Sequence, residues 1–272
     1  MKNAALALLA LDAASAVILL LVLGPPLTGV AWLHTVQPLP GFWGAALVPL
    51  YLLLVVAGVA LCTFGLRLLM PRPKPGRYPF PGSAMAVAWG LHFSLMRAVY
   101  LPGIKHLAFS YASLRWLMLR ALGADVAFQM QTASSILPVD AHLLTVGPET
   151  MLAADVMTSG HFIEQGTLIL GPVKISRGAQ LLEGVKVGPD VVIGEYTSIG
   201  PECRIAPGVR IGEYTHVGMG CMFWSGVVVG DNVVLGHEVV LEANVKVGEG
   251  AVIASGARVP AKTEIPDGGR YP

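Results

Sequence analysis

Residues 193–217 read IGEYTSIGPECRIAPGVRIGEYTHV, and the pentapeptide IGEYT stands in them twice, eighteen residues apart. Cutting the chain every six residues from Ile175 accounts for the interval. The blocks ISRGAQ, LLEGVK, VGPDVV, IGEYTS, IGPECR, IAPGVR, IGEYTH, VGMGCM, FWSGVV, VGDNVV, LGHEVV, LEANVK, VGEGAV, IASGAR, VPAKTE and IPDGGR follow without a gap. Every first place holds Ile, Leu, Val or Phe, every fifth place Ala, Val, Thr, Cys or Gly, and the second is often Gly. A helix repeats near 3.6 residues and an ordinary strand at two, so a period of six excludes both as the main organisation. A hexapeptide period is the signature of a β-helix.

Each hexapeptide then supplies one short strand and a turn, and three sides close a coil of eighteen residues. The two IGEYT copies are expected one above the other, about 4.8 Å apart. First-place residues form an interior column and the small fifth-place residues fill the space beside them. Glycine in the second place permits a tight corner that a side chain would obstruct. Cys203 and Cys221, both fifth-place and eighteen apart, read as inward packing residues, and the third cysteine, Cys62, forms no metal-ligand spacing with them.

Upstream the period returns in VGPETM and LAADVM, starting at Val146 and Leu152, and it fails over Thr158–Pro172. Leu152 and Ile175 are 23 apart, which is not a multiple of six. Something leaves the prism there, and excursions from a rigid scaffold are where function concentrates. This excursion carries His161, and imidazole is the side chain that takes and returns a proton near neutrality. Glu164 is the nearest acid and a candidate to orient it. His216 and His237 fall on outward places of the repeat.

The repeat over residues 125–268 resembles the left-handed parallel β-helix of the hexapeptide-repeat acyltransferase superfamily, which implies a homotrimer with sites in the clefts between prisms. The run GHFIEQGTLILGPVKI resembles the stretch of colanic-acid-type and related sugar O-acetyltransferases in which a Gly/Ser-His pair precedes a loop and the hexapeptides then resume. That resemblance implies His161 as the general base on an acceptor hydroxyl or amine, with acyl-CoA as co-substrate and no permanently bound cofactor. The chain ends IPDGGRYP where family members often carry a Gly-Asn-Pro-Ala-Lys-like segment, and Lys262 sits in a different frame. The γ-type carbonic anhydrases share the repeat and bind zinc through three histidines. His161, His216 and His237, spaced by 55 and 21, do not match that pattern, so no metal is expected. Residues 68–265 also resemble the membrane-attached modules at the C-terminus of some nonribosomal peptide synthetases.

The N-terminal part has a different character. The chain is 54% apolar and 13% charged, and its net charge of +1 hides a split. Residues 1–124 carry nine Lys or Arg against one acid, and residues 125–272 nine against sixteen. A half that is both basic and apolar suits anionic lipid headgroups and argues against nucleic acid. Ala4–Leu23 and Ala45–Leu69 are long enough to span a bilayer, and Asp12 lies within the first. The connection at 24–44 lacks Lys and Arg, whereas Arg67, Arg72, Lys74 and Arg77 follow the second segment, so both termini are expected in the cytoplasm. Beyond the run PRPKPGRYPFPG, Ser83–Tyr100 and Ile104–Leu122 mix apolar and basic residues as helices of the headgroup layer do, with a third span at residues 84–101 as the alternative.

The expected organisation is therefore an α-helical membrane region followed by an all-β hexapeptide-repeat β-helix. Its parts are a two-helix transmembrane hairpin at 1–70, basic amphipathic interfacial helices at 71–124 and the β-helix at 125–272. The expected location is a bacterial-type inner membrane, with the β-helix on the cytoplasmic side. Two functional readings stand open. One is a membrane-anchored acyltransferase acting on a hydroxyl or amine of a lipid-linked or amphipathic acceptor, with His161 and Glu164 in its site. The other is a non-catalytic trimeric scaffold of a membrane complex.

Overall fold

The computed structural model describes residues 2–36, 48–100 and 103–272, with side chains from residue 13 onward except that of His34. The side chain of Asp12, and residues 37–44 of the expected connection at 24–44, lie outside what is described. The chain forms two compact units, one of residues 1–73 and 79–123, the other of residues 74–78 and 124–272.

In the second unit the hexapeptides wind a parallel β-solenoid of about eight coils, whose faces are sheets of eight, eight and seven strands. Ile193 pairs with Ile211 and Ser198 with His216, so the two IGEYT copies stack as the eighteen-residue interval requires. Tyr196 and Tyr214, the tyrosines of the two copies, stack outside with ring centroids 5.4 Å apart. All first-place residues from Ile175 to Ile265 are buried. Burying each such side chain contributes roughly 1.5–3 kcal/mol, so a column of them accounts for the solenoid without any large single interaction.

Polar fifth-place residues are satisfied along the column. Thr197 Oγ1 donates to Gly212 O at 2.6 Å and accepts the Thr215 N–H at 3.1 Å; Thr215 repeats the motif one coil on with Gly230 O and the Val233 N–H. The Cys203 and Cys221 thiols, both free and buried, donate to Gly218 O and Gly236 O, each at 3.1 Å.

The glycines of the second place act through space. A Cβ on Gly194 would stand 2.4 Å from the Gly212 carbonyl carbon of the next coil, closer than any real contact. The left-handed bend lies two residues later, in the fourth place, where Tyr196, Glu202 and Asn232 have φ of 53°, 57° and 58°. At the corner that follows the third face the glycine rule lapses: the second-place residues there are Gly188, Ala206, Trp224, Glu242 and Pro260. That corner is the one on which the excursion is built.

In the first unit, helix α1 (Lys2–Val36) runs through Pro25 and Pro26. The expected first span, Ala4–Leu23, stops at GPPLTG, whereas the helix runs on through it to Val36; among the described residues the apolar windows are Ala13–Leu33 of α1 and Val48–Leu69, which is helix α2. Proline removes two backbone donors, and Thr28 Oγ1 bonds Gly24 O and Pro25 O across the break. Gly58 of α2 leaves room for Pro26, since a Cβ there would stand 2.9 Å from the proline Cβ. Both windows are long and apolar enough to cross a membrane, and only 17% and 22% of their residues are buried within the unit. Bare apolar surface of that extent suits lipid.

Helices α3 (Ala84–Tyr100), α4 (Ile104–Ser110) and α5 (Ala112–Ala121) complete the unit. α3 packs against α1 and buries Trp89, His92, Leu95 and Val99. Arg67 Nε donates to Ala121 O at 2.9 Å, placing a cation where the carbonyls of α5 end.

Candidate active site

The excursion is a β-hairpin. Strands His161–Glu164 and Thr167–Leu170 pair antiparallel, His161 opposite Leu170 and Glu164 opposite Thr167. Gln165 (φ 46°) and Gly166 (φ 75°) make the two-residue turn, a pair of positive φ values that matches the twist of the flanking strands. The coil resumes at Val173–Ile175, with Ile175 beside Val146, twenty-nine residues earlier instead of eighteen. Gly76–Pro79 forms the outer strand of the hairpin, next to Thr167–Leu170.

One coil earlier the same corner is irregular too. Pro138 pairs with Thr158 at an interval of twenty, and the surplus is taken up by Asp140 and a 3-10 turn over Ala141–Leu143. Asp140 adopts φ 59° and ψ 52° and its side chain is fully buried. Its Oδ2 lies 2.5 Å from His161 Nδ1 and accepts the Gly160 N–H at 3.1 Å. Ser159 Oγ donates to His161 O at 2.9 Å and braces the same residue from the other side. Gly160 makes the approach possible: a Cβ on it would meet Leu143 Cδ1 at 2.8 Å and Asp140 Cβ at 3.1 Å.

The acid that lies against the His161 ring is thus Asp140, whereas Glu164 is the candidate nearest along the chain. Glu164 stands exposed beside the hairpin turn and lines the same groove as His161 without touching its ring. Asp140 escapes a search by proximity along the chain because it is twenty-one residues from His161. Its signal is the repeat itself: six residues before Val146, where the register calls for an aliphatic residue, the sequence has an acid.

His161, with 20% of its side chain exposed, borders a groove of about 780 Å³ between the hairpin and the third face of the solenoid. Phe162 and Ile163 form the hairpin wall. The floor is the outward column Met157, Lys186, Arg204 and Met222, each paired with the next one coil further on. Pro189, Pro207 and Trp224 edge it along the glycine-poor corner. Lys186 and Arg204 have no carboxylate in ion-pair range among the described residues, whereas Arg258, the next cation of that face and beyond the groove, is held by Glu242 at 2.8 Å.

The other histidines lie elsewhere. His216 is exposed on the second face between Ser198 and Val234. His237 Nδ1 accepts the Met219 N–H at 3.1 Å and its own N–H donates to Ser255 Oγ, so it links successive coils. Among the described residues no three metal-ligating side chains converge.

A family model described as bacterial transferase hexapeptide (six repeats) matches residues 190–223 and 226–261. No curated protein sequence is similar enough to count as a relative. Among solved structures, the chain is similar to a variant of perosamine N-acetyltransferase from Caulobacter crescentus in complex with CoA and GDP-perosamine, at 17% identity over 57% of this chain and 59% of that one, TM-score 0.31. It is similar to the acetyltransferase domain of PglB from Neisseria gonorrhoeae in complex with acetyl coenzyme A, at 17% identity, 58% and 63% coverage and TM-score 0.29. A third is a variant of AntD, an N-acyltransferase from Bacillus cereus, in complex with dTDP and coenzyme A, at 14% identity, 55% and 80% coverage and TM-score 0.32. The chain covers less than two thirds of the length of the first two of these. The uninterrupted six-residue period winds eighteen-residue coils into a parallel β-solenoid, and its central part matches the hexapeptide transferase repeat model.

Proposed function

We propose that this protein is a membrane-anchored acyltransferase that moves an acyl group from acyl-CoA to a hydroxyl or amine, with His161 as the general base. The observation that carries the reading is the Asp140–His161 pair at the mouth of the groove. A buried carboxylate against Nδ1 fixes the tautomer that keeps the proton there, which makes Nε2 the basic nitrogen. That nitrogen removes the proton from the acceptor as its oxygen or nitrogen attacks the thioester carbonyl. The carbon–sulfur bond then breaks, and the imidazolium returns the proton to the departing thiolate. Glu164 has no part in the pair.

The apolar windows of α1 and α2 support anchoring, and the cations that follow α2 favour a prism on the cytoplasmic side of a bacterial-type inner membrane, where acyl-CoA is made. The acceptor is then lipid-linked or amphipathic. We take the protein to work as a homotrimer, as the superfamily resemblance implies.

The test is thioester consumption by the purified full chain with acetyl-CoA and longer acyl-CoAs, offered a panel of amines and alcohols. Wild type should turn over at least one pair, and His161→Ala should lose about 10²- to 10⁴-fold in rate, the usual contribution of a general base. Equal rates in the two proteins would remove His161 from the chemistry. If no acyl-CoA binds or reacts, the scaffold reading takes the lead.

A further inference from the structure

The end of α2 gathers positive charge that the helical unit cannot neutralise. Arg67 lies in the last turn of α2 and Arg72 just beyond it, and residues 13–124 contain no Asp or Glu. Arg67 Nε donates to the carbonyl of Ala121, which follows Arg120 at the end of α5. Arg72 and Arg120 both stand near enough to repel the Arg67 guanidinium. Apart from that Nε bond, no side-chain nitrogen of Arg67 or Arg72 meets an acceptor among the described residues. Like charges crowded together without a carboxylate make a place for an anion.

Both cations are held in position. The bond from Nε to Ala121 O is 2.9 Å, and the Arg67 guanidinium carbon stands 5.3 Å from the centre of the Phe64 ring. With Nε engaged, the two terminal nitrogens remain as the fork that grips two oxygens of one phosphate. Arg72 is fixed through its neighbour, because buried His92 of α3 donates from Nε2 to Pro71 O at 3.2 Å. Below the cations α2 carries a bare apolar stripe. Leu61, Phe64 and Leu68, spaced by three and four, are all exposed, and Leu69 beside them is 84% exposed. A soluble anion would use the cations and leave the stripe uncovered; a neutral lipid would cover the stripe and leave the cations unanswered. A lipid with a negatively charged headgroup satisfies both.

We infer that the end of α2 binds one anionic glycerophospholipid, with its phosphate on Arg67 and Arg72 and an acyl chain along Leu61, Phe64 and Leu68. This site rests on the membrane anchoring proposed above, and it stands whether or not His161 transfers an acyl group.

The test offers the full chain, purified in dodecyl maltoside, equal amounts of dioleoyl phosphatidylglycerol and dioleoyl phosphatidylcholine, and counts the retained lipid by native mass spectrometry. The shared acyl chains leave headgroup charge as the difference. Wild type should retain phosphatidylglycerol over phosphatidylcholine by about tenfold or more, since each cation beside an anionic headgroup contributes about fivefold. Arg72→Gln should cut that preference about fivefold, and Arg67→Gln/Arg72→Gln should bring it to about one. The Arg72 side chain is exposed and bonds nothing among the described residues, so the single variant should melt like wild type. Lys174→Gln removes a charge from an exposed position of the solenoid and should leave the preference unchanged; an equal fall there would make the effect one of net charge and overturn the site. Millimolar inorganic phosphate should leave the lipid in place, and displacement by it would assign the cations to a free anion instead. Equal retention of the two lipids, or an undiminished preference in Arg72→Gln, overturns the site while leaving the anchoring intact. A chain that retains neither lipid and stays in solution without detergent refutes the anchoring as well.

Discussion

Asp140 Oδ2 and His161 Nδ1 lie 2.5 Å apart across two successive coils, each residue at the point where its coil departs from the eighteen-residue repeat. Two irregularities at one corner of the solenoid thus build one pair. Asp140→Asn preserves the shape of that pair and removes its charge. An amide can donate to Nδ1, which would place the histidine proton on Nε2 and leave no base toward the acceptor. The expected result is a fall of about 10²- to 10⁴-fold in thioester consumption with binding of acyl-CoA retained. A variant that turns over like wild type would show that the pair is structural.

Gly160 tests the same geometry from the backbone. Adding a Cβ brings it to 2.8 Å from Leu143 Cδ1 and 3.1 Å from Asp140 Cβ, so the hairpin must move off the turn beneath it. Gly160→Ala should cost about 1–3 kcal/mol, the range for overpacking, and separate His161 from Asp140. Rate should fall more than tenfold with an unchanged affinity for acyl-CoA. Gly65→Ala, which meets nothing within 4 Å, is the control and should leave both rate and melting temperature near wild type.

How far each feature could be read ahead depends on whether its cause is local. The interior column from Ile175 to Ile265 was legible because every coil repeats the same constraint, and the excursion at His161 because it breaks that constraint. Asp140 was not, since the contact that matters runs between coils. The end of the first apolar helix was misplaced for a related reason. Pro25 and Pro26 look like a stop along the chain, and only the side chain of Thr28 and the gap left by Gly58 on the neighbouring helix show why the helix continues. Lys186 and Arg204 are unremarkable as sixth-place residues; their lack of partners becomes visible only when the hairpin is laid over them.

The buried thiols give the solenoid a pH dependence. The hydrogen bond shared by the two thiols, and then burial, push the Cys203 thiol up from its ordinary value, while the same hydrogen bond draws the Cys221 thiol down, so the pair holds on to one proton and gives up the other early. The native state therefore holds its proton in a range where the unfolded chain, with a thiol near pH 8.5, has released it. The state that binds more protons loses stability as pH rises, so this contribution is complete below about pH 8.5 and declines above it. Urea midpoints should fall between about pH 8.5 and 10, and Cys203→Ala should flatten that decline. An identical slope in the two proteins would assign the effect to other groups.

The strand Gly76–Pro79 suggests the last prediction. It lies just after the run of cations that follows α2, yet it forms the outer strand of the hairpin that carries His161. Tyr78 Oη closes on the carbonyls of Lys74 and Pro75 at 3.1 and 3.2 Å, which holds the segment in its bend. An isolated two-stranded hairpin is marginal in water, whereas three strands hold each other. Replacing residues 74–78 with Gly-Ser-Gly-Ser-Gly keeps the chain length and removes the shape. Amide exchange over residues 161–170 should then quicken at least tenfold while exchange in the coils from Ile193 onward stays as it was. Thioester consumption should fall with the hairpin, because a histidine held at one end only spends less of its time against Asp140. If exchange and rate are both unaffected, the third strand adds nothing to the hairpin, and the turn over Ala141–Leu143 beneath Gly160 alone holds His161 in place.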